Sequence, residues 1–358
     1  MTIQERKKNL EFLGKFLSQF TSSGIIHRDG IPFNDLFFEP FSTLIKRAHE
    51  QNGWFTQENI LYATGSWAQI LQPEKIDKWF KMYDFNQLSQ PKNVGVVMAG
   101  NIPLVGFHDF ISVLMSGNRV KAKLSSNDKL LLPMLAKYME HVQPKFKDYI
   151  TFVSGKLENI DAVIATGSDN TARYFDYYFG KYPHIIRHNR NAVAVLTGTE
   201  TEAQLSGLTD DIMLYFGLGC RNVSKLFVPV GYDFNKIFKA FLKYKDLINY
   251  QKYANNYDYN KAVYLMSVDR DVRDSLIDNA LVLLKKDVHY SAPIGVVFYE
   301  FYNRLDDVQK IINQDVEKIQ VVVGSTPKIN SIPFGSTQIP QLWDYADGVD
   351  VIQFLLAL

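Results

Sequence analysis

Residues 93–104 read NVGVVMAGNIPL, an apolar run followed by a turn and then by the start of a second apolar stretch. The run predicts a buried strand, and Pro103 suits the first turn of a helix, where its missing N–H group costs nothing. Gly100 and Asn101 lie between the two and form the predicted turn. A buried strand that leads into an apolar helix is the repeating unit of an α/β fold with a parallel sheet.

The same unit recurs along the rest of the chain. After a mainly helical N-terminal part, nearly continuous apolar strands alternate with helices, which indicates a parallel sheet covered on both faces. The predicted strands are residues 93–99, 119–123, 149–153, 162–165, 192–196, 224–229, 262–266, 294–299 and 319–323, and one predicted helix covers residues 270–285. We expect the apolar end, residues 351–358, to add a strand to the parent sheet or to a partner subunit.

Composition is that of an ordinary globular protein: of the 358 residues, 46% are hydrophobic and 22% are charged. With 39 Lys and Arg against 38 Asp and Glu, the bulk charge favours neither nucleic acid nor a membrane surface as a partner. We expect no secretory signal and no membrane span, since no stretch approaches roughly 20 apolar residues. The single cysteine cannot form an internal disulfide and is compatible with the cytoplasm, where we expect the protein.

That cysteine stands in the stretch GLGCRNVSKLFV, residues 217–228. Two glycines let a ligand approach the backbone closely. Arg221 and Lys225 are near enough in sequence to favour a thiolate, which is the nucleophilic form of the side chain. Cys220 is therefore a candidate covalent catalyst. The alternative is that it packs in the core, because cysteine is among the most buried residue types.

Three strand-to-helix turns offer further chemistry. The Asn101 amide can donate a hydrogen bond to an oxyanion, or it can simply cap the helix. Lys121 and Lys123 share one face of a strand, and a lysine at the carboxyl end of such a strand lies where nucleotides bind. We interpret Lys121 as a solvated edge residue. Thr166-Gly167-Ser168 follows a strand and opens a helix, so its N–H groups either face an anion or form an ordinary N-cap.

Other sequence signals are weak. The chain has neither a G-x-G-x-x-G fingerprint nor a phosphate-loop motif. His184 and His188 are four apart, but Pro183 argues against a helix that carries both, and we predict no metal site. A cysteine–histidine hydrolase with His108 or His188 as the base is conceivable. The sequence offers no way to place either histidine beside Cys220.

Taken in order, the four stretches resemble the aldehyde dehydrogenase superfamily. Residues 100–103 resemble its asparagine-containing turn, residues 117–123 are similar to its Gly-Asn-x-Val-x-x-Lys strand, Thr166-Gly167-Ser168 matches its Thr-Gly-Ser turn, and residues 217–220 resemble its Gly-Gln-x-Cys segment. The resemblance runs from about residue 94 to the C-terminus. GNIPL at 100–104, KLSS at 123–126 and WDYADGVD at 343–350 look like the branch of fatty acyl-CoA reductases of the bacterial luminescence type.

This resemblance implies an α/β, aldehyde-dehydrogenase-like fold of two lobes with the active site in the cleft between them. It implies N-terminal helices and an NADP-binding parallel sheet in residues 1–197 and a catalytic domain in residues 198–340. A tail, residues 341–358, would return to the parent sheet or form an oligomer interface. The implied oxyanion donors are the Asn101 amide and the Cys220 N–H group, and the implied catalytic and NADP(H)-binding residues are Cys220, Asn101, Lys123, Ser126, Thr166, Gly167 and Ser168.

Three departures from the superfamily pattern narrow the expected reaction. Aldehyde-oxidising members have a glutamate that activates water, whereas the corresponding residues 186–189 are Ile-Arg-His-Asn. An acyl group on Cys220 should therefore exchange with a thiol rather than be hydrolysed. Ser126 replaces a ribose-binding glutamate, which relieves repulsion of a 2′-phosphate and favours NADP over NAD. The Glu-x-Phe-Gly-Pro segment is not recognisable, and residues 292–296 are its nearest match.

The predicted activity is reduction of a fatty acyl thioester, acyl-CoA or acyl-carrier, to a fatty aldehyde by NADPH through a cysteine acyl-enzyme. We expect a homo-oligomer that works with an acyl-transferring or acyl-activating partner enzyme. Two alternatives stay open. One is an acyl transferase or thioesterase that uses Cys220 without reduction, and the other is a non-catalytic scaffold subunit.

Overall fold

The computed structural model describes residues 1–85, 90–167, 169–267 and 275–358. The chain divides into two compact units. The first comprises residues 1–189 together with residues 339–358, and the second comprises residues 190–338. Among the described residues, no helix combines the length and the apolar character needed to cross a membrane.

The N-terminal part of the first unit is helical, as predicted. Thr2 and Glu5 form a capping box at the start of the first helix, whose Leu10, Leu13 and Phe16 are fully buried. Pro73 opens a new helix, in whose first turn its missing N–H group costs nothing. The elements are α1 (Ile3–Leu17), β1 (Phe20–Thr21), β2 (Gly24–Ile25), α2 (Asn34–Gln51), α3 (Gln57–Ile70) and α4 (Pro73–Phe80).

A parallel sheet of five strands, in the order β5–β4–β3–β6–β7, forms the core of the first unit. The chain builds β4 and β5 on one side of β3 and then crosses to β6 on the other side. Such a reversal is the switch point of a doubly wound sheet, where ligands bind outside the carboxyl ends of the strands. The strands are β3 (Asn93–Val97), β4 (Arg119–Lys123), β5 (Ile150–Phe152), β6 (Ala162–Thr166) and β7 (His184–Arg187).

Helices α5 (Phe107–Ser116), α6 (Leu131–Val142) and α7 (Asp169–Phe179) connect these strands. The first of them starts at Phe107, four residues after Pro103, which was predicted to lie in the first turn of a helix. The reason is that Leu104 adopts a left-handed conformation, with φ of 58°, which is incompatible with a right-handed helix. Most of α5 is buried, in keeping with its apolar sequence.

The second unit contains a six-stranded sheet in the order β10–β11–β12–β9–β8–β13, in which only the β10–β11 pair is antiparallel. Residues 192–196 were expected in the first domain. They belong instead to β8, which pairs with β9 and β13, so the division between units falls at residue 189 rather than 197. The elements are β8 (Asn191–Val195), α8 (Glu202–Met213), β9 (Val223–Pro229), α9 (Asn235–Phe241), α10 (Gln251–Leu265), β10 (Leu276–Asp278), β11 (Leu283–Lys286), β12 (Val296–Tyr302), α11 (Leu305–Gln314) and β13 (Ile319–Gly324).

Two predicted elements of this unit are wrong. The predicted strand 262–266 lies at the end of α10, whose Tyr253 and Tyr257 are buried four residues apart on one helical face. The predicted helix 270–285 contains the hairpin of β10 and β11, while its residues 270–274 lie outside the described part. Asn279 accepts hydrogen bonds from the N–H groups of Leu281 and Val282, which forms the turn.

The C-terminal segment returns to the first unit as a helix, α12 (Val351–Leu356), so the prediction of a strand is wrong. The Asp350 carboxylate caps this helix by accepting from Gln353 N at 2.9 Å. The buried residues Val351, Ile352 and Leu355 follow helical rather than alternating spacing. They pack against α5, and Leu355 O accepts a hydrogen bond from the Asn118 amide.

Candidate active site

The carboxyl edge of the first sheet collects the predicted cofactor residues and Asn101. Lys123 ends β4 and pairs in register with Val97 of β3, while Thr166 ends β6 and leads through Gly167 to α7. Asn101 is exposed in the turn after β3. Ser126 follows β4 on the same edge, and Ser168 lies outside the described residues. The structure thus gathers Asn101, Lys123, Ser126 and Thr166 at the carboxyl ends of neighbouring strands.

The turn with Asn101 (residues 100–104, the Asn101 turn) packs directly on the turn that follows Lys123. A Cβ atom at Gly100 would lie 2.6 Å from both Cβ and Oγ of Ser125, so only glycine permits this approach. Ser125 Oγ also accepts the N–H of Asn127. The position of the Asn101 turn therefore depends on the position of the turn that follows Lys123.

Asp128 is the polar side chain that binds the Asn101 turn. Its carboxylate accepts from Leu104 N at 3.3 Å, and the aspartate is only 9% exposed. Burial raises the pKa of Asp128 to about 6, against the lowering effect of backbone hydrogen bonds from Leu104 and Leu131. The residue that fixes the left-handed Leu104 is thus a buried carboxyl group. The sequence pattern carried no signal of this role.

At the end of β6, Gly167 lies in close contact with α7. A Cβ atom at Gly167 would lie 2.9 Å from the Phe175 ring, so glycine allows α7 to start close to the strand end. In doubly wound sheets the pyrophosphate of a dinucleotide binds at such a helix N-terminus beside the switch point. The residues present at this edge therefore fit a dinucleotide.

Cys220 lies in the second unit, in the loop before β9. Its side chain is exposed and forms no disulfide. The N–H of Asn222 donates to Gly219 O at 2.9 Å, which closes a β-turn with Cys220 at its first corner (residues 219–222, the Cys220 turn). The prediction that the thiol is accessible is confirmed, and the alternative of a cysteine packed in the core is wrong.

The chain reaches this turn through an unusual backbone. Tyr215, Phe216 and Gly217 are consecutively left-handed, with φ of 54°, 59° and 76°. For a residue with a side chain this conformation costs roughly 1–2 kcal/mol. The Phe216 ring stacks on Tyr250 with a centroid distance of 5.0 Å and also contacts Tyr253. Aromatic packing therefore offsets part of the strain.

One side chain, Asn222, holds the loop to the end of α8. Its Oδ1 accepts from Gly219 N at 2.8 Å. Its Nδ2 donates to the carbonyl groups of Asp211, Ile212 and Leu214 at 3.1, 3.3 and 2.8 Å. The side chain is buried, with the residue 3% exposed. Sequence reasoning missed Asn222; its place two residues after the cysteine and before a strand was the only signal.

Residues 335–337 are joined to the Cys220 turn through Arg221 and to α8 through Asp211. Arg221 Nε donates to Thr337 O at 2.5 Å. The Asp211 carboxylate accepts from the N–H groups of Gly335 and Thr337 and from the Thr337 hydroxyl group. Burial raises the pKa of Asp211, which those hydrogen bonds oppose. Arg221 is thus used to anchor the loop.

Lys225 has a structural environment instead. Its ammonium group donates to Glu300 Oε2 and to Val288 O, each at 2.7 Å, and its side chain is 1% exposed. It also lies over the rings of Phe227 and Tyr290. Since Glu300 balances its charge, the expectation that Lys225 supports a thiolate at Cys220 loses its basis.

Sequence and structure comparisons place these features in a known family. The family model described as acyl-CoA reductase (LuxC) matches residues 46–290, which is more than half of the chain. The chain belongs to the LuxC acyl-CoA reductase family. This confirms the predicted family. A long-chain acyl-protein thioester reductase of Aliivibrio fischeri is 23% identical over 168 residues, or 42% of this chain. The match spans only 35% of that relative's length.

Solved structures confirm that this LuxC-family chain has the aldehyde dehydrogenase fold. Aldehyde dehydrogenase 21 of Physcomitrella patens, solved with succinate, aligns over all of this chain and 84% of its own, with a TM-score of 0.64 and 12% identity. An aldehyde dehydrogenase of Bacillus cereus, solved with NAD⁺, aligns over 92% of this chain and 73% of its own, with a TM-score of 0.57 and 15% identity. At these identities the similarity concerns the fold.

In the LuxC-family chain a buried ion pair includes Arg187, which lies in the stretch 186–189. This is the stretch in which the chain lacks the water-activating glutamate of aldehyde-oxidising members. Arg187 ends β7 in the stretch 186–189, and its guanidinium binds both carboxylate oxygens of Asp109, one of them at 2.8 Å. Asp109 belongs to the first turn of α5. Beside it, the His108 ring bonds to Leu342 O at 2.9 Å, and burial lowers the pKa of His108. His108 and His188 both belong to the first unit, whereas Cys220 belongs to the second.

Proposed function

We propose that this protein reduces a fatty acyl thioester to a fatty aldehyde with NADPH, and that Cys220 is the nucleophile. The observation that carries the proposal is the exposed thiol of the only cysteine, at the corner of a fixed turn before β9, in a chain of the LuxC acyl-CoA reductase family. The name of the Aliivibrio fischeri relative, a long-chain acyl-protein thioester reductase, supports the same substrate class. An acyl-CoA or an acyl-carrier thioester would serve.

Acyl transfer to Cys220 is the first step. The Cys220 thiolate attacks the acyl carbonyl, a new C–S bond forms, and the bond to the carrier sulfur breaks as that sulfur leaves as a thiolate, which takes up a proton from water. During attack the carbonyl oxygen gains negative charge, for which we assign the Asn101 amide and the Cys220 N–H group as donors. A donor of this kind is worth roughly 3–4 kcal/mol of barrier stabilisation. The product is a thioester on the enzyme.

The position of Lys123, Ser126 and Thr166 at the carboxyl edge of the first sheet supports our assignment of the cofactor site. We assign Lys123 and Ser126 to the adenosine ribose and its 2′-phosphate, and Thr166, Gly167 and Ser168 to the pyrophosphate. When bound, NADPH supplies the hydride that reduces the Cys220 thioester, so that the aldehyde and the Cys220 thiolate are released. Ser126 adds no negative charge beside a 2′-phosphate, which favours NADPH over NADH.

Hydrolysis of the acyl-enzyme is disfavoured in this proposal. The stretch 186–189 contains no carboxylate, and Arg187 pairs with Asp109, a buried carboxylate held in an ion pair. Both oxygens of that carboxylate already accept hydrogen bonds from the Arg187 guanidinium, so we do not assign it as the base that activates water. We therefore expect the acyl group to wait for hydride or for a thiol. We further propose a cytoplasmic homo-oligomer supplied by an acyl-transferring or acyl-activating enzyme.

The direct test measures NADPH absorbance with acyl-CoA and acyl-carrier substrates of several chain lengths. We expect oxidation of NADPH and release of aldehyde. Cys220→Ala should abolish turnover and leave NADPH affinity nearly unchanged, since the proposed cofactor residues belong to the other unit. Activity that survives this substitution would exclude the mechanism.

Two further outcomes would select the alternatives. Acyl transfer that proceeds without NADPH, with no aldehyde formed, would indicate a transferase or thioesterase. If no substrate acylates Cys220, and neither acyl-CoA nor NADPH raises the melting temperature, the protein acts as a scaffold subunit.

A further inference from the structure

We propose that Asn222 is the residue that positions Cys220 for acyl transfer. The inference rests on the proposed function, in which Cys220 accepts the acyl group. The supporting observation is that one buried amide contacts the chain on both sides of the left-handed segment 215–217. It binds the end of α8 through three carbonyl groups and the Cys220 turn through Gly219 N.

The chemistry of this environment selects an amide. The last carbonyl groups of a helix have no partner within the helix and carry the negative end of its dipole. They need a donor, whereas Gly219 N needs an acceptor. Asparagine offers two N–H donors and one carbonyl acceptor in a compact side chain. An aspartate of the same shape would accept from Gly219 N but would place a carboxylate oxygen against three carbonyl oxygens.

Position matters because the backbone that leads to Cys220 is strained. Three consecutive left-handed residues lead into the turn, and two of them carry aromatic side chains. Without the Asn222 hydrogen bonds, this strained segment has lower-energy conformations available to it. A displacement of about 1 Å at a reacting group can cost on the order of 100-fold in rate. Loss of Asn222 should therefore slow acylation of Cys220.

The test compares Asn222→Asp with the wild-type protein in single-turnover acylation by acyl-CoA, followed by mass spectrometry. We expect the acylation rate constant at pH 8 to fall on the order of 100-fold. The affinity for NADPH should remain within twofold, since the proposed cofactor residues belong to the first unit. As pH is lowered, the carboxyl group introduced by the substitution takes up a proton and regains one O–H donor. The rate of the variant relative to wild type should therefore rise between pH 8 and pH 5.

Asn34→Asp is the matched control. Asn34 is also a buried asparagine, 7% exposed, whose amide donates to Gln19 Oε1 and Arg28 O at 2.9 Å and whose Oδ1 accepts from Gln19. It belongs to α2 of the first unit. We expect this variant to lose stability without a change in the acylation rate of folded protein. Equal rates in Asn222→Asp and wild type, with only the melting temperature lowered, would overturn the proposal.

A second probe separates this inference from the proposed function. Cys220 is the only cysteine, so its reaction with iodoacetamide can be measured without any acyl substrate. If acyl-CoA does not acylate the wild-type protein, the proposed function fails, and the alkylation rate still tests whether Asn222 controls the thiol. If Asn222→Asp does not fold, Asn222→Ser keeps one small hydroxyl group and should show a smaller loss with the same unchanged NADPH affinity. Unchanged acylation and alkylation in that variant would also overturn the proposal.

Discussion

The Asn101 turn and the Cys220 turn both involve strained backbone, but a hydrogen-bond acceptor binds the first and an amide that mainly donates binds the second. The Asn101 turn contains the left-handed residue Leu104, and the left-handed residues Tyr215 and Phe216 lead into the Cys220 turn. Each is bound by a buried polar side chain. The Asn101 turn is held by the carboxyl group of Asp128, and the Cys220 turn by the amide of Asn222.

The difference follows from which backbone groups each buried side chain binds: an N–H group in the Asn101 turn, and mainly carbonyl groups beside the Cys220 turn. The Asn101 turn precedes α5, and the group that Asp128 binds there is the N–H of Leu104, so an acceptor suffices. The Cys220 turn follows α8, where carbonyl groups lack partners, so the side chain must donate. A carboxyl group can titrate when it is buried, whereas an amide cannot. The two turns should therefore respond differently to pH.

Asp128→Asn should give the largest effect among the tests of this comparison. The carboxyl pKa is about 6 in the folded protein, against 3.8 for an unperturbed aspartate. The folded state binds this proton more tightly than the unfolded state does. The contribution of the Asp128 carboxyl group to the free energy of unfolding is therefore complete below pH 3.8 and is lost as pH rises through 6. The difference of about two pKa units corresponds to about 3 kcal/mol. The asparagine variant should therefore be similar to wild type near pH 4 and more stable by up to about 3 kcal/mol near pH 8.

Tryptophan fluorescence during urea unfolding measures this effect, because it reports on the first structural unit. The four tryptophans, Trp54, Trp67, Trp79 and Trp343, all belong to the first unit, as does Asp128. The difference in unfolding free energy between variant and wild type is then plotted against pH. A difference that stays constant from pH 4 to pH 8 would contradict a titrating, buried Asp128.

Gly100→Ala tests the close packing of the Asn101 turn and should give an intermediate effect. The new Cβ would lie 2.6 Å from Ser125 Cβ, so the two turns must separate. Overpacking of this kind typically costs about 1–3 kcal/mol. Ser125→Gly removes the opposing atoms, and the double variant should regain most of the loss. Urea unfolding of the four variants gives the coupling energy, and strictly additive effects would show that the two turns do not touch.

Sequence reasoning predicted the parts of this molecule that repeat a pattern. The buried strand that begins at residue 93 followed from an apolar run, and the cysteine before β9 followed from a family motif. The strand predicted for residues 262–266 is wrong because a short apolar run has the same pattern in a strand and at the end of a helix such as α10. The strand predicted for residues 351–358 is wrong for the same reason. Asp350, the N-cap of α12, is the residue that indicates a helix there.

The roles of the two residues that bind the turns could not be predicted from the sequence, for a different physical reason. Asp128 and Asn222 act through backbone groups of residues 104 and 211–219, and which backbone groups lack partners depends on where helices begin and end. The left-handed conformations of Leu104 and Phe216 likewise carry no signal in residue type, because glycine is the usual residue there. Tertiary contacts, not local preference, determine them.

Gly217→Ala should give the smallest effect, and it tests whether the Cys220 turn is limited by conformation rather than by space. The φ angle of 76° is unfavourable for alanine by about 1 kcal/mol, whereas the new Cβ would meet only Ile212 O at an ordinary 3.4 Å. Calorimetry should therefore show a loss of about 1 kcal/mol with no change in tryptophan-detected unfolding of the first unit. In contrast to Gly100, no small neighbour should rescue this variant, since the cost lies in its own backbone. A loss near zero would mean that Gly217 is not left-handed, and the strain assigned to the approach to Cys220 would then be confined to Tyr215 and Phe216.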